Sequence, residues 1–191
     1  MKLSAKDLTQ MALLVALLAV SAYITIPLGF TPVALTLQTL IINLIAMLLT
    51  PSKSFLTVLI YVLLGLIGLP VFSGGAGGPA KLFGPTGGYI FAFLLAVPLM
   101  SLTKDHAATL VKKLVKNTTT ARLAGYTLNA IVIGMTIIYL IGTIYMKLLT
   151  GKAIGAVFAL AVAPFIPLDL AKCLLAAFIS VPLKKQLNKS K

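Results

Sequence analysis

The sequence predicts an all-α integral membrane protein, a six-transmembrane-helix bundle with both termini cytoplasmic. Three observations carry that expectation. Of 191 residues, 60% are hydrophobic and 10% are charged, whereas soluble domains carry roughly 25% charged residues. The apolar residues gather in six long stretches. The basic residues, 16 against three acids, fall mainly on one side of the path that six spans would trace. Such a composition excludes a soluble globular enzyme.

A helical span needs about 20 mostly apolar residues at 1.5 Å each. The first stretch, residues 8–26, is too long for a cleavable leader and is expected to stay as a span. Ala12, Ala16 and Ala19 form one small-residue stripe along it, suited either to packing within the bundle or to docking a separate membrane subunit. The second stretch, 33–49, carries Thr36, Gln38 and, deeper, Asn43. The third is 54–69. A loop at 70–85, PVFSGGAGGPAKLFGP, follows and is expected outside the cell. It is either a flexible connection or a lid that lays backbone N–H groups on a ligand.

The fourth stretch is 86–102, and residues 103–122 form a polar, basic cytoplasmic linker. The fifth, 123–149, brings Tyr126, Asn129 and Thr136 onto one face. The sixth is 153–183. The last two exceed a straight crossing, so tilt or a break is expected. None of the six alternates in polarity as a membrane β-strand does.

Six spans put Lys2, Lys6, Lys53, Lys104, Lys112, Lys113, Lys116, Arg122, Lys184, Lys185, Lys189 and Lys191 on one side. Lys81, Lys147 and Lys152 fall on the other. That bias makes the termini cytoplasmic and explains the net charge of +13 without a nucleic-acid partner. The sixteenth cation, Lys172, lies inside a span.

Lys172 follows Asp169 by three residues, so the two share a helix face. An ionisable group in mid-span costs at least about 2.5–3.5 kcal/mol on insertion scales. The pair is either a self-neutralising internal couple or the floor of a site for a polar ligand. Pro164 and Pro167 precede it in APFIPLD. Proline removes backbone donors and kinks helices, so a new half-helix is expected there, with Pro167 near its start and Asp169 in its first turn. About 25 Å of helix would then separate Pro167 from Leu183, placing the pair toward the outer face. Broken helices beside polar pairs build transporter pockets. Gln38 and Asn129 are candidate partners, each with interhelical hydrogen bonding as its alternative role.

Other chemistry is missing. There is one cysteine and one histidine, too few for a multi-cysteine metal site or a zinc centre. No phosphate-binding G-x-x-x-x-G-K-[ST], HExxH, GxSxG or paired carboxylates occur. If the chain drives uptake against a gradient, the energy must come from elsewhere. A carrier for a vitamin such as thiamine or riboflavin, a membrane enzyme using Asp169 as acid or base, and a structural subunit with an internal Asp–Lys pair remain open.

LTLQTL (35–40), YVLLGLIGLPVFSGGAGG (61–78), GPTGGY (84–89) and FIPLDLAK (165–172) together resemble the BioY family, the biotin-specific substrate-binding components of energy-coupling factor (ECF) transporters. The resemblance spans roughly residues 8–183. It implies capture of biotin outside the cell by a multi-pass plasma-membrane protein, with biotin as cargo and no cofactor. It also implies partnership with a transmembrane coupling subunit and two ATPase subunits. Ala12 and Ala16 match the family's A-x-x-x-A coupling motif, and Asp169 and Lys172 its biotin-binding acid and lysine. Tyr89 would cover the ring of the ligand, and the loop residues Gly75, Ala76 and Gly77, with Lys81, would meet its carboxylate. The reverse orientation pairs Lys172 with the carboxylate. Some members carry Asn where this chain has Ala76, and Arg where it has Ile90.

Overall fold

The computed structural model describes residues 3–189. Lys2 and Lys191, counted above among the cytoplasmic charges, lie outside them, as does the side chain of Lys189.

α1 (Ala5–Ser21) opens on a reciprocal cap, in which Ser4 Oγ accepts from the Asp7 N–H and the Asp7 carboxylate accepts from the Ser4 N–H. The helix stops short of the expected end at 26. Thr25–Ile26 (β1) instead pairs antiparallel with Leu35–Thr36 (β2), Thr25 opposite Thr36. The β-branched run Ile24–Ile26 favours extended backbone, and Pro27 blocks helical continuation. Between the strands Gly29 takes φ +66°. The mostly helical fold thus includes a small hairpin of two two-residue strands, and the second helix begins at Gln38, not 33.

α2 (Gln38–Leu48) and α3 (Pro51–Leu66) follow, α3 with Pro51 at its first position. The loop at 70–85 contains a single turn, α4 (Pro79–Leu82). α5 (Gly87–Lys112) runs well past the expected end at 102. Its hydropathy falls there, but Lys, Ala and Leu sustain helix without it. The linker at 103–122 is therefore mostly helical: α5 ends, and α6 (Thr118–Asn129) starts on an Asn117 cap that accepts from the Thr119 and Thr120 N–H groups at 2.9 and 3.2 Å.

A π turn (Ala130–Met135) joins α6 to α7 (Thr136–Thr150), making one helical rod of 33 residues that stops at left-handed Gly151. The sixth stretch is broken where the prolines require it, into α8 (Ile154–Ala161) and α9 (Ile166–Lys189). Pro167 is the second residue of α9 and Asp169 lies in its first turn.

Among the described residues three helices are long and apolar enough to cross a membrane: Gly87–Lys112, Thr118–Thr150 and Ile166–Leu187. α2 and α3 are shorter apolar helices. α5 is the central column, with α2, α3, α6 and α7 packed on it, and α2 also packs against α9.

Lys104 departs from its expected place in a surface linker. It is 4% exposed, and its ammonium donates to the carbonyls of Ala46, at 2.6 Å, and Leu49, and to Ser101 Oγ at 3.1 Å. These carbonyls end α2, so the cation satisfies acceptors that the helix leaves open and sits at the negative end of its dipole. A basic side chain that looks like a topology marker is a helix cap.

Candidate functional site

The break before α9 brings Asp169 level with the first turn of α2. Asp169 is 6% exposed and Lys172 5%. Asp169 Oδ1 accepts from Lys172 Nζ at 2.8 Å and from Thr39 Oγ1 at 2.9 Å. Its Oδ2 accepts from Tyr139 Oη at 2.6 Å. Lys172 Nζ also donates to Thr39 Oγ1 at 3.2 Å. Four side chains from α2, α7 and α9 thus form one buried polar cluster.

The cluster is the floor of a pocket enclosing about 660 Å³ of empty space up to its open mouth. Tyr89, Ile90, Phe93, Ile138, Ala161 and Phe165 make apolar walls. Half-buried Val33, Ala34, Thr36, Ser73 and Thr86 line it toward the loops. A smaller cavity on the far side of Asp169 is lined by Asn43, Met135 and Cys173, among others.

Hydrogen-bonding capacity remains on the floor. An ammonium has three donors, and Lys172 uses two on Asp169 and Thr39. Each carboxylate oxygen has two acceptor sites, and Oδ2 of Asp169 uses one on Tyr139. Among the described residues these bonds leave one ammonium proton and one carboxylate lone pair unmatched, close together and of opposite charge.

Several residues singled out in the sequence line this pocket: Asp169, Lys172, Gln38 and Tyr89. Gln38 donates to Tyr61 Oη at 2.5 Å, and Tyr61 donates to the Val71 carbonyl at 2.9 Å, tying α2 to the glycine-rich loop. Tyr89 donates to the Ala161 carbonyl at 3.2 Å, fixing its ring across the α8–α9 break. The ring lies against Gly142, where a Cβ would clash with it.

Asn129 stands elsewhere. Its Nδ2 donates to the Met100 carbonyl at 2.8 Å and its Oδ1 accepts from Thr103 at 2.6 Å, so it staples α6 to α5 and does not line the pocket. Gly75, Ala76 and Gly77 do not line it either. Ala76 exchanges backbone hydrogen bonds with Phe72 at 2.8 and 3.2 Å, and the Gly74 N–H reaches the Ala22 carbonyl at 3.0 Å. Gly77 packs where a Cβ would strike the Leu69 carbonyl oxygen. The loop's contribution to the lining is Ser73. Lys81 on α4 is half-buried, which pushes its ammonium pKa down, and it too stands outside the lining. Ala12 and Ala16 are exposed on the face of α1 opposite Met11, Leu14, Val15 and Leu18, which enter the core.

Thr39 and Tyr139 were not singled out in the sequence. Thr39 lies within LTLQTL and differs from its neighbours in nothing local. Tyr139 is 30 residues from Asp169, and its register depends on the π turn before it.

A bundle of apolar helices closed round one charged, aromatic-walled pocket defines a membrane protein built about a small-molecule site. Comparison with known proteins supplies the family: the BioY family model matches residues 1–189, and the chain belongs to that family. It is 35% identical to the biotin transporter BioY2 of Lactococcus lactis, over 95% of this chain and 92% of that one. It is 36% identical to the biotin transporter BioY of Thermotoga maritima, over 94% and 96%. Its fold is similar to a crystal structure of the S-component for biotin from an ECF-type ABC transporter, with a TM-score of 0.80, 30% identity and coverage of 96% and 95%. These relatives are named as transporters, not enzymes.

Proposed function

We propose that this chain captures biotin outside the cell and serves as the substrate-binding component of an ECF-type ATP-dependent vitamin transporter. It forms one membrane domain in the plasma membrane, crossing it six times with both termini in the cytoplasm. The one-sided distribution of basic residues supports that orientation. A transmembrane coupling subunit would dock on the Ala12/Ala16 face of α1, where small exposed residues permit close helix approach, and two ATPase subunits would supply the energy.

The observation that carries the reading is the unused hydrogen-bonding capacity of the buried Asp169–Lys172 pair. Biotin's ureido group presents an N–H donor beside a carbonyl acceptor, the complement of that pair. Asp169 Oδ2 would accept the N–H, and the third proton of Lys172 would go to the carbonyl. Each bond to a charged group is worth about 1.5–3 kcal/mol net. Tyr89, Phe93 and Phe165 would cover the fused rings. The reverse orientation brings a carboxylate to Lys172, whose ammonium lies 2.8 Å from Asp169. Two buried carboxylates would then share one cation, an arrangement disfavoured by like-charge repulsion.

Equilibrium binding of labelled biotin to the purified chain tests this, with wild type beside Asp169→Asn and Lys172→Ala. Wild type is expected to bind tightly and both variants to lose about tenfold or more. Absence of wild-type binding, or variants that bind as wild type does, would overturn the reading.

A further inference from the structure

The pocket is polarised along its depth. Among the described residues that line it, Asp169 and Lys172 are the charged ones, and both lie buried at the floor. Toward the loops the lining is half-exposed and neutral: Val33, Ala34, Thr36, Ser73 and Thr86. Lys81 does not line the pocket. The backbone N–H groups of Gly74 and Ala76 are already bonded to the Ala22 and Phe72 carbonyls, and Gly75, Ala76 and Gly77 do not line the pocket.

A ligand gripped at the floor by its ureido group directs its carboxylate tail to this neutral rim. There the tail meets hydroxyls and solvent, not a fixed cation. An exposed charge without a built partner contributes little to affinity. Blocking that charge as an amide therefore leaves the floor contacts and the ring contacts intact, and the added group extends past the rim into water.

Resting on the proposed function above, we propose that the site recognises biotin by its ring system and accepts carboxamide-linked biotin. The ligand class then includes biotinamide and Nε-biotinyl-lysine, the form in which biotin leaves a degraded biotinylated protein. Discrimination resides in the ureido end, and the carboxyl end is free to carry a neutral linkage.

Competition against labelled biotin on the purified full-length chain tests this, with unlabelled biotin, biotinamide and Nε-biotinyl-lysine as competitors. The two amides are expected to match biotin within about threefold. A loss of about tenfold or more for biotinamide would show a cation committed to the carboxylate and overturn the proposal. Repeating the series on Lys81→Ala identifies such a cation: the acid-to-amide ratio is expected to stay at its wild-type value, and a fall in that ratio overturns the neutral rim. A converse variant, Ser73→Lys, places a cation on the rim and is expected to raise the preference for acid over amide. An unchanged preference would contradict the outward course of the tail. Failure of labelled biotin itself to bind would defeat the functional reading and this inference together, whereas biotin binding with amide rejection defeats this inference alone.

Discussion

Tyr139 donates its phenolic proton to Oδ2 of Asp169 at 2.6 Å, linking α7 to the first turn of α9. That bond leaves Asp169 held from both oxygens before any ligand arrives, with Thr39 and Lys172 on the other. A carboxylate fixed this way needs no reorganisation to accept a further donor, which is how preorganisation raises affinity.

Tyr139→Phe keeps the ring and removes the bond. Biotin affinity is expected to fall by about tenfold, corresponding to about 1.4 kcal/mol, with the helical content unchanged by circular dichroism. An affinity equal to wild type would remove Tyr139 from the site.

Asn129→Leu provides the contrast. Two hydrogen bonds between α6 and α5 are lost, one of them to the Met100 carbonyl, so stability is expected to drop by about 1–3 kcal/mol. Thermal unfolding would report it as a lower Tm. Biotin affinity is expected to stay within about threefold of wild type, since the residue is outside the pocket. A large loss of affinity with unchanged Tm would return Asn129 to the ligand.

Lys104→Met tests the helix cap. The α2 carbonyls of Ala46 and Leu49 would lose a charged donor, at a cost of about 1.5–3 kcal/mol. Because α2 carries Gln38 and Thr39 into the pocket, both Tm and biotin affinity are expected to decline. An unaltered Tm would show that the cap adds no stability.

Ala12→Leu combined with Ala16→Leu enlarges an exposed face of α1 without touching the pocket. Biotin uptake by cells that also produce the coupling and ATPase subunits is expected to be abolished, while binding to the purified chain is retained. Uptake at the wild-type rate would move the coupling surface elsewhere.

Much of this architecture is legible in the sequence, and particular residues show where legibility ends. Pro164 and Pro167 foretell the α8–α9 break because proline acts locally on its own helix. Asp169 and Lys172 stand out because a charge amid apolar residues demands a reason. By contrast, hydropathy places the end of α5 at 102 when the helix continues to Lys112, since apolarity marks the bilayer and not the hydrogen bonding. The β1–β2 hairpin hides inside two apolar stretches for the same reason. Asn129 and Lys104 show that a polar residue's partner, carbonyl or ligand, is decided in three dimensions. Tyr139 is reached through a π turn, whose extra residue in the turn shifts every later side chain around the helix axis, and no local spacing announces that.

Biotin capture as proposed depends on the Asp169–Lys172 floor gripping the ureido edge. The most direct test compares the dissociation constants of desthiobiotin, which keeps the ureido group but lacks the sulfur ring, and of biotin methylated on both ureido nitrogens. Desthiobiotin is expected to bind within about tenfold of biotin, and the methylated analogue to lose about a hundredfold or more, because its missing N–H groups leave the buried carboxylate short of a donor. Equal affinity for biotin and its dimethylated analogue would contradict that grip.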